Sequence, residues 1–191
     1  MAKRVHHLPR GHRRTVVSAL NVPGEIVDLG GFVIAQNRQD IVACGPTTVE
    51  LIAHEDIERL VGDDPRLAHV LMSLTSRDTT ISRQWQVAAA TLNGAAHVGH
   101  LLCELNLRLS AAGEARDNRF HLPVKQRDLG DVLGYSPVHI NRAVRQLREA
   151  GFVEWRGPHV RLLDPEGLAR FARFDPAYLR VTAVAAGAMA A

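Results

Sequence analysis

Residues 126–147, QRDLGDVLGYSPVHINRAVRQL, leave the chain little choice of local structure. Leu129, Val132 and Leu133 fall on one face of a short helix. Gly130 is small where a second helix crosses closely, and Gly134 supplies the positive φ that ends the first helix and turns the chain. Ser136 is placed to cap the next helix, with Pro137 at its first position, where a missing N–H costs nothing. Ile140, Ala143, Val144 and Leu147 then recur at helical spacing and bury one face. The expectation is two short helices joined by a tight turn, the second with a free polar face.

That free face carries Pro137, Val138, Asn141, Arg142, Arg145 and Arg148. An arginine fork matches guanine O6 and N7, an asparagine matches adenine N6 and N7, and a valine can touch a thymine methyl. Pro137, Val138, Asn141, Arg142 and Arg145 are therefore the expected base-facing residues. Ser136 and His139, at the helix N-terminus, suit phosphate oxygens; Lys125, Gln126 and Arg156 join them as expected phosphate contacts. Beyond this segment, GFVEWRGPHVRLLD reads as strand, tight turn at Arg156-Gly157-Pro158 and return strand. His159 is a further backbone-contact candidate on that hairpin, and Trp155 is expected to pack inside. PEGLARFA closes the unit as a helix with Pro165 at its start. The competing reading is a helical hairpin with a solvated arginine face.

Upstream, residues 65–92 read as one long helix starting at Pro65. Leu67, Leu71, Leu74, Asp78, Ile81, Trp85, Ala88 and Leu92 step alternately by 4 and 3 residues. A seam repeating at about 3.5 residues suits two copies of the helix packed side by side, so these eight are the expected dimer interface. An intramolecular core stripe is the alternative. Asp78 either sits where the helices splay or fixes register at a cost in stability. A second helix, 94–109, carries Val98, Leu101, Leu102, Leu105 and Leu109, and SAAGEARDN follows as a polar linker or turn. Ahead of these, TVVSAL, IVDLGG, QDIVAC and TTVELI within 15–53 read as short strands, and 54–62 as a short acidic helix. VTAVAAGAMAA, at the C-terminus, reads as a frayed tail.

Charge is unevenly spread. Residues 1–14 hold five Lys/Arg and no acid, 15–115 six Arg against twelve acids, and 116–161 nine Lys/Arg against five acids. A basic segment beside an acidic one fits a polyanionic partner for the former. The two cysteines, Cys44 and Cys103, lack a second cysteine at metal or redox spacing, which fits a reducing compartment. No apolar run is long enough for a spanning helix, and no apolar signal core follows the basic start, so no membrane partner is expected and the cytoplasm is the expected location.

With these motifs in hand, the sequence resembles the cyclic-AMP receptor and fumarate–nitrate regulator (Crp/Fnr) family. The resemblance runs over about residues 20–175 and is carried by GEIVDLGG (24–31), the acidic short helix, the long seam helix, residues 126–155 and DPEGLARFARFDPAYL (164–179). It implies an α+β chain: a partial cupin-like β-roll over 1–63, a dimerisation helix over 64–93, a winged helix-turn-helix domain over 94–180 and a tail over 181–191. By position in that family, Pro137, Val138 and Arg142 read bases, and Ser136 and His139 meet phosphates. Pro137 stands where many relatives have Arg. The chain starts in mid-roll, which leaves open a shortened reading frame or a regulator with a reduced sensor. Gly24-Glu25 matches the opening of the family's phosphate-binding cassette, but its later Arg-Ser appears as Gln39-Asp40, and a carboxylate there repels a phosphate. An iron–sulfur cluster needs about four cysteines and the chain has two. No cofactor, cyclic nucleotide or iron–sulfur cluster is therefore expected.

His6, His7 and His12 read as part of a floppy basic terminus rather than a metal site. His97 and His100, one turn apart beside Cys103, have ligand spacing but lack further ligands, and read as interface or surface histidines. Nothing supports catalysis. The expectation is a homodimeric, sequence-specific DNA-binding transcription regulator whose partners are double-stranded DNA, a second copy of itself and RNA polymerase. The alternatives are a protein–protein adaptor on the same scaffold, with weak or no DNA binding, and an enzyme whose pocket the sequence does not reveal.

Overall fold

The computed structural model describes residues 1–7, 15–32 and 39–180; the side chains of residues 30, 32, 126 and 127 are outside that description. The expected tail (181–191) and His12 lie outside the described residues. Among those described, no helix is long and apolar enough to cross a membrane.

Three strands open the chain: β1 (Ala2–His7), β2 (Thr15–Asn21) and β3 (Asp40–Ala43). They form an antiparallel sheet in the order β2-β1-β3. Residues 2–7 of the basic start are thus the central strand of a sheet, not part of a floppy terminus. Its charge obscured a pattern that buries Ala2 and Val5, while His6 pairs with Ser18 at 2.8 Å and His7 with Asp40 at 2.8 Å. Two expected strands are absent. IVDLGG is a bend followed by a 3-10 turn at Leu29–Phe32, because local bonds fold it back: the amide of Glu25 donates to the Val22 carbonyl, and that of Gly31 to Asp28. TTVELI finds no ladder partner and runs extended over the surface, with Leu51 94% exposed. A β-branched run forms a strand only where a neighbour can take its hydrogen bonds.

Next come α1 (His54–Asp63), α2 (Arg66–Thr91) and α3 (Gly94–Ala111). α2 is the long helix expected from the seam. The centre of the molecule is α3, with fourteen of its eighteen residues buried. A helix buried on nearly every side is the middle of a core, and α3 takes five polar or charged side chains in with it: His97, His100, Glu104, Asn106 and Arg108. Around it pack α4 (Gln126–Leu133), α5 (Pro137–Glu149), α6 (Pro165–Phe171) and a four-stranded antiparallel sheet. That sheet runs β4-β5-β7-β6, from β4 (Ala115–Arg116), β5 (Arg119–His121), β6 (Val153–Arg156) and β7 (His159–Leu162). SAAGEARDN, expected as a polar linker or turn, supplies β4 and a hairpin turn whose Asp117 and Asn118 both have positive φ (52° and 58°), the geometry that two-residue hairpins favour. One core continues from Val5, Val17 and Leu20 of the first sheet through α3 to Leu129, Ile140, Leu147 and Leu168.

Candidate nucleic-acid interface

α4 and α5 meet as the sequence requires. Gly134 closes α4 at φ 76°, left-handed, and its amide bonds back to the Gly130 carbonyl. Gly130 is needed for a reason other than helix crossing: a Cβ there would lie 2.5 Å from the carbonyl oxygen of Tyr135, inside the turn itself. Ser136 caps α5; its Oγ accepts from the His139 amide at 3.4 Å and lies 2.8 Å from His139 Nδ1. Ile140, Ala143, Val144 and Leu147 are all buried against the core.

The opposite face is open. Pro137, Val138, His139, Asn141, Arg142 and Arg145 are exposed, with Val138 at 68%. The two arginines differ. Arg145 Nε donates to Glu149 Oε1 at 2.7 Å, whereas Arg142 has no ion pair among the described residues. Lys125 is exposed at the entry to α4; the side chain of Gln126 lies outside the described residues. Arg156 and His159 flank the β6–β7 turn, both exposed. Arg156 is 3.2 Å from Glu154. Trp155 is buried and holds the turn by donating to the Gly157 carbonyl at 3.0 Å.

The eight seam residues do not share one environment. Leu67, Leu71, Leu74, Trp85 and Leu92 are half-buried, and Ile81 and Ala88 are buried by their own chain. Asp78 accepts from Arg4 at 3.0 Å, so its charge is met within the chain. Trp85 Nε1 donates to Glu104 at 2.9 Å.

Glu104 belongs to a buried polar group that the sequence reading missed. Its carboxylate, fully buried, also accepts from Tyr178 at 2.8 Å and Arg108 at 2.7 Å. Arg108 reaches on to both oxygens of Glu25 and to the Leu20 carbonyl. Burial works against the guanidinium charge, but the Glu25 and Glu104 carboxylates more than offset it and raise its pKa. Burial, then Glu104, pushes the Tyr178 hydroxyl upward, so it remains a donor. The signal was present: Glu104 and Arg108, of opposite charge, stand four apart on one helix. Glu25, which the resemblance places against a ribose hydroxyl, has both carboxylate oxygens engaged by Arg108.

His97 and His100 are core residues, not surface or interface ones. His97 Nδ1 lies 3.4 Å from the Tyr135 hydroxyl, and His100 is bracketed by the Ala172 carbonyl at 3.3 Å and Tyr178 at 3.4 Å. Burial, with His100 nearby, depresses the His97 pKa to about 4, and burial lowers that of His100. Burial pushes the Cys103 thiol up to about 12. Among the described residues, no group of three or more His, Cys, Asp or Glu is arranged to hold a metal ion.

Comparison with known proteins places this geometry. Residues 96–171 match the Crp-like helix-turn-helix domain. The chain is similar to the transcriptional activator protein FnrA of Stutzerimonas stutzeri, at 27% identity over 82% of this chain and 64% of that protein. It is similar also to the transcriptional regulatory protein btr of Bordetella pertussis, at 26% identity over 80% of this chain and 62% of that one. The chain thus spans less than two thirds of the length of these relatives. Among solved structures, FixK2 from Bradyrhizobium japonicum superposes with a TM-score of 0.76 at 23% identity, covering 89% of this chain and 82% of that one. A CooA mutant from Carboxydothermus hydrogenoformans does so at 0.68 and 12% identity, covering 90% and 74%. The mixed fold of antiparallel strands, long helices and a helix-turn-helix is shared with them.

Proposed function

From the premise that the chain is of the Crp/Fnr type, we propose that it is a sequence-specific DNA-binding transcription regulator, acting as a homodimer on a near-palindromic operator. One observation carries the reading. α5 buries one face completely while its other face leaves Val138, Asn141 and Arg142 exposed. A helix so capped and so braced can lie in a major groove with those side chains toward the base edges. Arg142, free of any ion pair among the described residues, is the principal base reader. Arg145 must first release Glu149. Ser136, His139, Lys125, Gln126 and Arg156 hold the phosphate backbone and so fix the register.

The dimer forms along α2, where Leu67, Leu71, Leu74, Trp85 and Leu92 keep surface that their own chain does not cover. Two copies of α5 then meet successive major grooves about one helical turn apart. Activation or repression follows from the operator's place relative to RNA polymerase. The relatives named above support a regulator rather than an adaptor, and no observation favours the adaptor.

Selection from a random-sequence duplex library with the purified chain tests this. The expected product is a pair of two-fold-related half-sites with centres about 10 bp apart. Failure to enrich any sequence contradicts it.

A further inference from the structure

We propose that His121 and His159 form a two-imidazole clamp for a divalent transition-metal ion on the outer face of the four-stranded sheet. The proposal does not rest on the DNA-binding reading above, and its test needs no DNA.

Strand register builds the clamp. His121 of β5 stands directly opposite His159 of β7. The neighbouring pair, Phe120 and Val160, is buried. On a pleated sheet the two histidines therefore point outward, and both are exposed. The Leu122 amide donates to the Pro158 carbonyl at 2.7 Å, one residue beyond the pair on each strand. That bond makes the histidines a non-hydrogen-bonded pair, the kind in which opposed side chains stand closest. Folding thus brings the two rings together before any ligand arrives, and preorganisation of this kind lowers the cost of binding.

The spacing suits one ion between the rings. Their centroids are 5.5 Å apart and their planes are inclined by 68°. Imidazole nitrogens bind zinc at about 2.0–2.1 Å, so two rings on one tetrahedral or square-planar ion have centroids about 4.5–5.3 Å apart. A small side-chain rotation closes the difference. Among the described residues neither ring has a hydrogen-bond or ion-pair partner, so no nitrogen must first be released.

The ligand set selects the class of ion. Among the described residues no third His, Cys, Asp or Glu completes a cluster, and water fills the remaining positions. Imidazole suits copper, nickel and zinc, whereas magnesium and calcium demand oxygen ligands. The surrounding charge is nearly balanced. Four arginines and three carboxylates line the same trough, and Arg156, opposite His159, is engaged by Glu154 at 3.2 Å. The one net positive charge is spread along an open, solvated wall, where screening is strong.

The test titrates the full chain with zinc chloride in a calorimeter, with magnesium chloride as the control. Wild type should bind one zinc per chain and no magnesium. H121A and H159A should each lose about tenfold or more in affinity, because one imidazole alone makes no chelate. For the same reason H121A/H159A should lose little beyond either single variant. H7A should bind as wild type does, which separates the clamp from the exposed histidine on β1. Zinc should also raise the melting temperature of wild type and not that of H121A/H159A; both side chains are exposed, and melts without metal check that the variants fold. Absence of zinc binding in wild type, unchanged affinity in H121A or H159A, or equal binding of magnesium overturns the proposal.

Discussion

Arg108 grips Glu25 from eighty-three positions away, with Nε donating to Oε1 at 3.1 Å and a terminal nitrogen to Oε2 at 2.6 Å. The same guanidinium holds Glu104 and the Leu20 carbonyl, and its side chain is 3% exposed. Through it the N-terminal segment and α3 share one buried polar centre, to which Trp85 of α2 and Tyr178 are joined by Glu104. Removing one partner of a buried pair leaves an uncompensated charge, at a cost of about 3–5 kcal/mol. Arg108→Met should destabilise the chain by that order in urea unfolding. Glu25→Gln, which keeps the shape and part of the hydrogen bonding, should cost about 1–3 kcal/mol.

Acid should unfold the protein through its buried imidazoles. His97 has a folded pKa of about 4, below its ordinary value of 6.5, because burial disfavours the charged ring. Above the ordinary value both states are neutral and the stability is fully present. As pH falls from there toward 4 the unfolded chain binds the proton and the folded one does not, so stability falls. The loss amounts to about 3 kcal/mol for this group alone, and the lowered pKa of His100 adds to it. Urea midpoints measured across this window should fall with pH in wild type and less steeply in His97→Gln.

Gly130→Ala should damage the turn between α4 and α5. The added Cβ would stand 2.5 Å from the Tyr135 carbonyl oxygen, which belongs to the backbone and cannot swing away. A cost of about 1–3 kcal/mol is expected for such overpacking. DNA affinity should fall further than unfolding alone explains, because the turn sets the angle of α5. Thermal melting and binding measured on the same sample separate the two.

What the sequence disclosed tracks how local the cause is. The cap at Ser136, the glycine at 134 and the spacing of Ile140, Ala143, Val144 and Leu147 act within a few residues, so α4 and α5 could be read directly. α2 was legible from its uninterrupted seam. Strand partners are different: β1 was hidden because Lys3, Arg4, His6 and His7 speak of charge, while its place between β2 and β3 depends on residues up to about forty positions away. TTVELI looked like a strand because propensity cannot say whether a neighbour exists. The base-facing row could be named from spacing alone, but not that Arg145 is tied to Glu149 while Arg142 is not, since side-chain pairing among several candidates is settled by geometry.

Dimerisation should depend on the half-buried seam residues of α2. Leu71 is half-buried in the single chain, whereas Ile81 and Ala88 are already covered. Leu71→Lys should therefore shift the protein toward monomer in sedimentation while leaving its fold intact by circular dichroism. A variant that stays dimeric would place the interface elsewhere.

The central claim is that Arg142 reads a base, and it is tested most directly by comparing wild type and Arg142→Ala across all single-base variants of the selected site. The account predicts a loss of about 1–3 kcal/mol on the selected sequence and relaxed discrimination at one position of each half-site. An equal loss on every sequence, with discrimination intact throughout, would contradict it.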